Sequence, residues 1–326
     1  MPTPLHNVHL HGWLVIDKPV GASSTGCVTA VKRALRVGGY PKLRVGHGGT
    51  LDPLASGVLP VALGEATKLC GRMLEASKAY EFTVRFGEET STLDAEGEVV
   101  ARSAIRPTLA QVQAVLPRFT GEIAQVPPAF SALKVDGRRA YDLARAGEEV
   151  TLKARRVTVS RLLPLGGDVG RSTTEGSVTP LALRATSPKG EELEELTLAA
   201  TVSKGTYVRS LARDIAQALG TVGHVTMLRR TKAGPFTLDQ AIPLDFLEET
   251  AKARRLDGAV LPLAAGLDDI PALPVSPLDA QLLRHGQKLP GPPVQPGLYL
   301  ATEDNRPVAL VEVSGDVLQV VRGFNL

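Results

Sequence analysis

The sequence predicts an α+β fold: a mixed, mainly antiparallel sheet with flanking helices, followed by a small β-rich C-terminal domain. Three observations carry this reading. Tyr80, Phe82, Val84 and Phe86 alternate with Glu81, Thr83 and Arg85, the period-two pattern of a strand with one buried and one solvated face. Val208, Leu211, Ile215 and Leu219 recur at helical spacing directly after a second apolar strand, 196–202. Beyond residue 262 prolines crowd positions 271, 274, 277, 290, 292, 293 and 296, and three short apolar runs follow, separated by turn pairs.

The remaining elements follow in order. Leu14-Val15-Ile16 reads as a buried strand running into the turn at Asp17-Lys18-Pro19 and Gly21. Ser23 or Ser24 then caps a helix whose buried face is Val28, Val31 and Leu35, stopped by Gly38-Gly39. Thr108 and Gln111 form a capping box for a helix with Leu109, Val112, Val115 and Phe119 on one side. Residues 298–300, 308–313 and 317–321 read as strands around Asp304-Asn305 and Gly315-Asp316 turns. The expected division is a domain over 1–262 and a small one over 263–326.

The 326 residues are 43% hydrophobic and 22% charged, too apolar for general disorder. The formal net charge is +3, which excludes a polybasic, histone-like protein. The distribution is uneven: residues 101–240 carry a net +7, against 0 for 1–100 and −4 for 241–326. A phosphate-bearing partner fits that basic middle. Two cysteines, Cys27 and Cys70, exclude a disulfide scaffold, and no CxxC pair predicts structural zinc. No apolar run reaches the ~18 residues of a membrane span. With no secretory signal in view, the expectation is a soluble cytoplasmic protein with no membrane contact.

The chemistry concentrates in residues 46–68, GHGGTLDPLASGVLPVALGEATK. Dense glycine lets this backbone bend tightly and approach a ligand. It is neither a Walker loop nor a dinucleotide fingerprint. It carries His47, Asp52 and Lys68. An aspartate before proline is commonly a turn residue. Beside Leu51 and Leu54, however, an ionised Asp52 needs a cationic partner, and KGTYVR at 204–209 offers Lys204 and Arg209 together with Tyr207. Residues 123–157 gather Lys134, Arg138, Arg139, Arg145, Lys153, Arg155 and Arg156, a cluster suited to phosphates.

These segments together resemble the bacterial TruB family of tRNA pseudouridine synthases. The resemblance runs in the family's order over residues 12–246: LVIDKPVGASS, the Asp52 loop, KAYEFTVRFG at 78–87, SKGTYVRSLARDI at 203–215 and HVTMLRRTKAGPF at 224–236. It implies the pseudouridine synthase fold with a PUA-like RNA-binding domain at the C-terminus. It also implies isomerisation of uridine-55 in the T-arm of tRNA to pseudouridine, with base flipping and without metal, cofactor or guide RNA. Asp52 matches the catalytic aspartate, Arg209 the arginine that pairs with it, and Tyr80 the tyrosine that stacks on the target base. His47 matches the residue that fills the T-loop when that base leaves. Lys18, Lys68, Tyr207 and Leu228 match further pocket positions. Arg138, Arg139, Arg155 and Arg156 lie in the stretch that matches an insertion closing over the RNA. A monomer is expected.

The chain departs from the family pattern at Gly48, where a threonine or similar residue is usual, and at Thr25-Gly26. A Gly/Ser/Thr-rich stretch within 165–195 reads as a longer loop. The competing readings are a catalytically inactive tRNA-binding protein or RNA chaperone, and a hydrolase using His47 and Asp52. Retention of Asp52, Tyr80 and Arg209 disfavours the first. The second lacks a nucleophilic serine or metal set at useful spacing.

Overall fold

A computed structural model of the chain describes residues 10–165 and 191–326. Most of the Gly/Ser/Thr-rich stretch expected to form a long loop therefore lies outside the described residues. The fold is mixed α+β, with antiparallel pairing dominant and helices flanking the sheets. It divides into two compact units, one formed by residues up to 53, 57–75 and 232–326, the other by 54–56 and 76–231.

In the first unit the strand Gly12–Lys18 is the centre of the sheet. It runs antiparallel to Ser56–Leu63, with Trp13 opposite Ala62 and Lys18 opposite Gly57. It also pairs in parallel with Ile242–Pro243 and antiparallel with Leu261–Pro262. Both long strands are apolar along nearly their whole length because both faces are covered. The helix Ser24–Val37 starts on Ser23, whose side chain accepts the Gly26 N–H, and it buries Cys27, Val28, Val31, Ala34 and Leu35. Gly38 and Gly39 end it, as expected.

The C-terminal β-rich part is a five-stranded sheet like that of a PUA domain, ordered Ala272–Pro274, Gly297–Glu303, Arg306–Ser314, Val317–Gly323 and Leu289–Pro290. Its strands run past the 298–300 and 308–313 expectations and meet at Asp304-Asn305, whose φ values of 48° and 63° suit a tight hairpin. One face packs on the helix Pro277–Arg284 through Leu283, Val308 and Val311. The other shares a core with the beginning of the chain. Leu300, Leu310 and Phe324 join Trp13, Val58, Leu69, Met73 and Phe236 in one buried cluster.

The second unit is built on Gly223–Ala233 (its last two residues belong to the first unit), Lys78–Phe86, Glu195–Val202, Arg155–Pro164 and Gly121–Gln125, in that sheet order. Phe82, Val84 and Phe86 are fully buried and Arg85 is exposed, so the alternation gives one covered and one solvated face. The helix Val208–Ala218 lies against this strand. The capping box on Thr108 is present, but the α-helix ends at Val115 and continues to Phe119 as a 3-10 turn. Pro117 explains the change, because it has no N–H for the next i→i−4 bond.

Candidate active site

Asp52 sits in the loop between the strands Val45–His47 and Ser56–Leu63. Both of its neighbours are gripped through their backbones. The Ser24 hydroxyl accepts the Leu51 N–H at 2.8 Å and donates to the Leu51 carbonyl at 3.1 Å. The Pro53 carbonyl accepts the Gly21 N–H at 2.8 Å and Lys18 Nζ at 3.2 Å. All four bonds come from residues 18–24, the KPVGASS segment. Lys18 is fully buried, and its ammonium also donates to the carbonyls of Ala22 at 2.6 Å and Pro19 at 3.0 Å. A buried charge needs such a set of acceptors. Lys18 is thus a staple between the first strand's end and the Asp52 loop. Below it Cys27 is fully buried, and burial raises its thiol pKa against the opposing charge of Lys18, which makes it an inert core residue.

His47 ends its short strand half-buried, and its Nδ1 accepts the Gly49 N–H at 3.4 Å. Gly48, the departure from the family pattern, has a packing reason. A Cβ there would lie 2.6 Å from the Met73 Cβ. Lys68 faces the C-terminus: Nζ donates to Glu65 at 2.6 Å and to the Gly323 carbonyl at 2.8 Å. Glu65 in turn accepts the Asn325 N–H at 2.7 Å. Burial alone would raise the Glu65 pKa. The bonds from Lys68 and Asn325 outweigh it and hold this carboxyl below its ordinary value.

In the second unit Tyr80 is half-buried near the start of its strand, where the covered face gives way, so its ring is partly accessible. Arg209 opens the helix Val208–Ala218 and is 5% exposed. Its guanidinium pairs with Asp94 at 3.2 Å and donates to the carbonyls of Thr92 at 2.9 Å and Phe130 at 3.1 Å. Asp94, itself buried, is held by the Thr92 hydroxyl and by the Glu96 N–H at 3.1 Å. Such a fork fixes the planar guanidinium in one orientation. Leu228 is 6% exposed, a core leucine by packing.

Arg138 and Arg139 are exposed on a short hairpin, Arg138 paired with Glu148 at 2.9 Å. Arg156 is exposed and paired with Glu122. Arg155 points elsewhere: it donates to the Gly205 carbonyl, and its guanidinium lies 4.9 Å from the Tyr207 ring centre.

The model of the TruB family pseudouridylate synthase N-terminal domain matches residues 32–208, and that of the tRNA pseudouridylate synthase B C-terminal domain matches 209–268. The chain belongs to the TruB family of pseudouridine synthases. Proteins named tRNA pseudouridine synthase B are similar to it throughout. The one from Novosphingobium aromaticivorans is 58% identical, covering 97% of both chains. The one from Zymomonas mobilis is 53% identical, covering 99% of both. An H/ACA ribonucleoprotein bound to a substrate RNA containing 2'-deoxyuridine shares the fold, with 24% identity, a TM-score of 0.67, and coverage of 97% of this chain and 86% of that one. As a TruB-family isomerase the chain acts on tRNA directly, without a guide RNA, and converts uridine-55 to pseudouridine with the base flipped out. No helix among the described residues is long and apolar enough to cross a membrane.

Sequence reasoning missed three residues of this arrangement. Ser24 was visible as part of a capping motif, but its grip on Leu51 spans 27 positions. Asp94 stands in a turn-like stretch, STLDAEGE, with nothing local to mark it. Gln125, fully buried with its amide hydrogen-bonded to the Tyr207 backbone, carries no motif signal beyond its place at the start of the basic insertion.

Proposed function

We propose that Asp52 is the catalytic carboxylate of this uridine-55 isomerisation. The observation that carries the reading is the double grip on Leu51 and Pro53, which fixes the backbone on both sides of Asp52 while leaving the side chain half-exposed. Preorganisation of this kind is what a group reacting with a bound sugar or base requires. The bond from uracil N1 to the ribose C1′ breaks, the base turns, C5 bonds to C1′, the C5 proton is lost and N1 takes up a proton, so that the product is an isomer of the substrate. Asp52 acts by attacking the ribose or the base, or by abstracting a ribose proton. Arg209 matches the arginine that family members pair with this carboxylate, and its guanidinium is held by Asp94 and the Thr92 and Phe130 carbonyls. Tyr80 stacks on the turning base and assists removal of the C5 proton. His47 takes the place of the extruded nucleotide in the T-loop. Tyr207 and Leu228 complete the walls, with Leu228 acting through packing.

Residues 1–262 then form the synthase domain, with an RNA-closing insertion at 123–157 in which Arg138, Arg139 and Arg156 meet phosphates. Residues 263–326 form the PUA-like module. Lys18 and Lys68 serve the site from behind, by holding the Asp52 loop and the C-terminal tail. A cytoplasmic location completes the reading, supported by the tRNA substrate and by two free cysteines. The test is Asp52→Asn, which removes the charge but keeps the shape. It is expected to bind tRNA as the parent does and to form no pseudouridine.

A further inference from the structure

The insertion that closes over RNA leaves and re-enters the sheet through two strands, Gly121–Gln125 and Arg155–Pro164. Gln125 and Arg155 are register partners at its throat. Both reach the same turn, Gly205-Thr206-Tyr207, which opens the Arg209 helix. Gln125 is completely buried, and its amide closes a two-way pairing with Tyr207: Oε1 accepts the Tyr207 N–H at 2.8 Å, and Nε2 donates to the Tyr207 carbonyl at 3.1 Å. Arg155 donates to the Gly205 carbonyl and stacks over the Tyr207 ring. Gly205 has φ +78°, and a Cβ there would lie 3.4 Å from the Arg155 guanidinium. The grip continues along the first residues of the insertion. The Val126 carbonyl accepts the Ser210 hydroxyl at 2.8 Å and the Arg213 guanidinium at 3.1 Å, and the Phe130 carbonyl accepts Arg209 itself.

Tyr207 is the N-cap residue of the Val208–Ala218 helix, yet its own side chain makes no capping bond. Helix starts leave backbone donors that a local side chain normally satisfies. Here the cap residue's backbone is held from the insertion's root instead. A buried amide that meets both an N–H and a carbonyl of one residue fixes that residue's position and its peptide orientation at once.

We infer that Gln125 and Arg155 are positioning residues that clasp the start of the Arg209 helix to the throat of the RNA-closing insertion. Arg209 is thereby set by the same throat from which the insertion folds over tRNA. Arg155 serves this clasp through its planar, stacking guanidinium, a role that lysine cannot fill although lysine keeps the charge. The inference rests on the reading that Arg209 works at the reacting nucleotide.

The experiment uses full-length protein and unmodified tRNA transcript. Gln125→Met removes both amide bonds at similar volume, and Arg155→Lys keeps the charge while losing the stacked fork. Gln125→Glu keeps only the acceptor and stands in if the methionine variant fails to fold. Single-turnover rate, tRNA affinity and its salt dependence are measured for each, with Asp52→Asn alongside. A misplaced helix start is expected to cut the single-turnover rate by roughly tenfold or more. Affinity stays within about twofold and the salt slope stays at the parent's, since no phosphate contact is lost. The inference is overturned if both folded variants turn over at the parent's rate. It is equally overturned if Arg155→Lys lowers affinity and flattens the salt slope with the rate at saturation intact, which would make Arg155 a phosphate contact. Failure of the underlying reading looks different: Arg209→Lys, measured alongside, would itself turn over at the parent's rate.

Discussion

Gly48 shows how one missing side chain is explained by packing. Its Cα faces Met73, which is buried beside Val58 and Leu69, and the backbone-near Cβ of methionine cannot swing away as a chain end could. Gly48→Ala is expected to cost about 1–3 kcal/mol in urea unfolding, the usual penalty of overpacking. Combining it with Met73→Gly, which removes that Cβ, should give a total well below the sum of the two single costs, because the second change opens the space the first needs. Simple additivity would contradict this account. The same scale shows where residue-level reading stops. KPVGASS could be recognised as a segment, but its task lies in bonds from Ser24 to Leu51 and from Lys18 to Pro53, the latter across 35 positions. Nothing in a local pattern encodes such partners. Tyr80 was legible as a strand residue, while its partial accessibility follows from where the covered face ends.

At the level of elements, periodicity predicts the strand at 80–86, which begins two residues earlier at Lys78, and the helices after Ser23 and Tyr207, while residue types predict the Thr108 capping box. All of these depend on neighbours within a few residues. Lys68 belongs to a different class. It lies in the motif-bearing stretch that drew attention to the site, yet its carbonyl partner Gly323 is 255 positions away. The Glu65–Lys68 pair ties the 64–69 turn to the last residues of the chain, and the Glu65 pKa is depressed below its ordinary value of 4.5. A depressed carboxyl stabilises the fold fully above its unfolded pKa and loses that contribution as pH falls through its folded one. Hydrogen-exchange protection at residues 323–325 should therefore fall selectively as pH drops below 4.5, relative to interior strands. In Lys68→Met this protection should already be reduced at neutral pH. Protection that follows the same pH course in parent and variant would refute the tie.

Across the whole molecule, net charge was a poor guide and its distribution a better one. The excess of +7 over residues 101–240 includes arginines with two kinds of task. Arg155 and Arg209 are absorbed by carbonyls, a ring and Asp94, whereas Arg138, Arg139 and Arg156 remain on the surface. The Arg138–Glu148 pair is solvent-exposed, so it contributes little and leaves the guanidinium available to phosphate. Arg138→Ala with Arg139→Ala should weaken tRNA binding and reduce the salt slope by roughly one unit per lost contact. An unchanged slope would remove this hairpin from the RNA interface. The small C-terminal sheet was legible as an element group from its prolines and turns. Its shared core with Trp13 and Met73 was not, because a hydrophobic face does not name the surface that covers it. Isomerisation of uridine-55 through Asp52 is tested in the reaction itself. Unmodified tRNA is incubated with the parent or with Asp52→Asn, and pseudouridine is mapped by carbodiimide-stop sequencing. A stop at uridine-55 is expected with the parent and none with the variant, which still binds tRNA. Product from Asp52→Asn, or no product at uridine-55 from the parent, would contradict it.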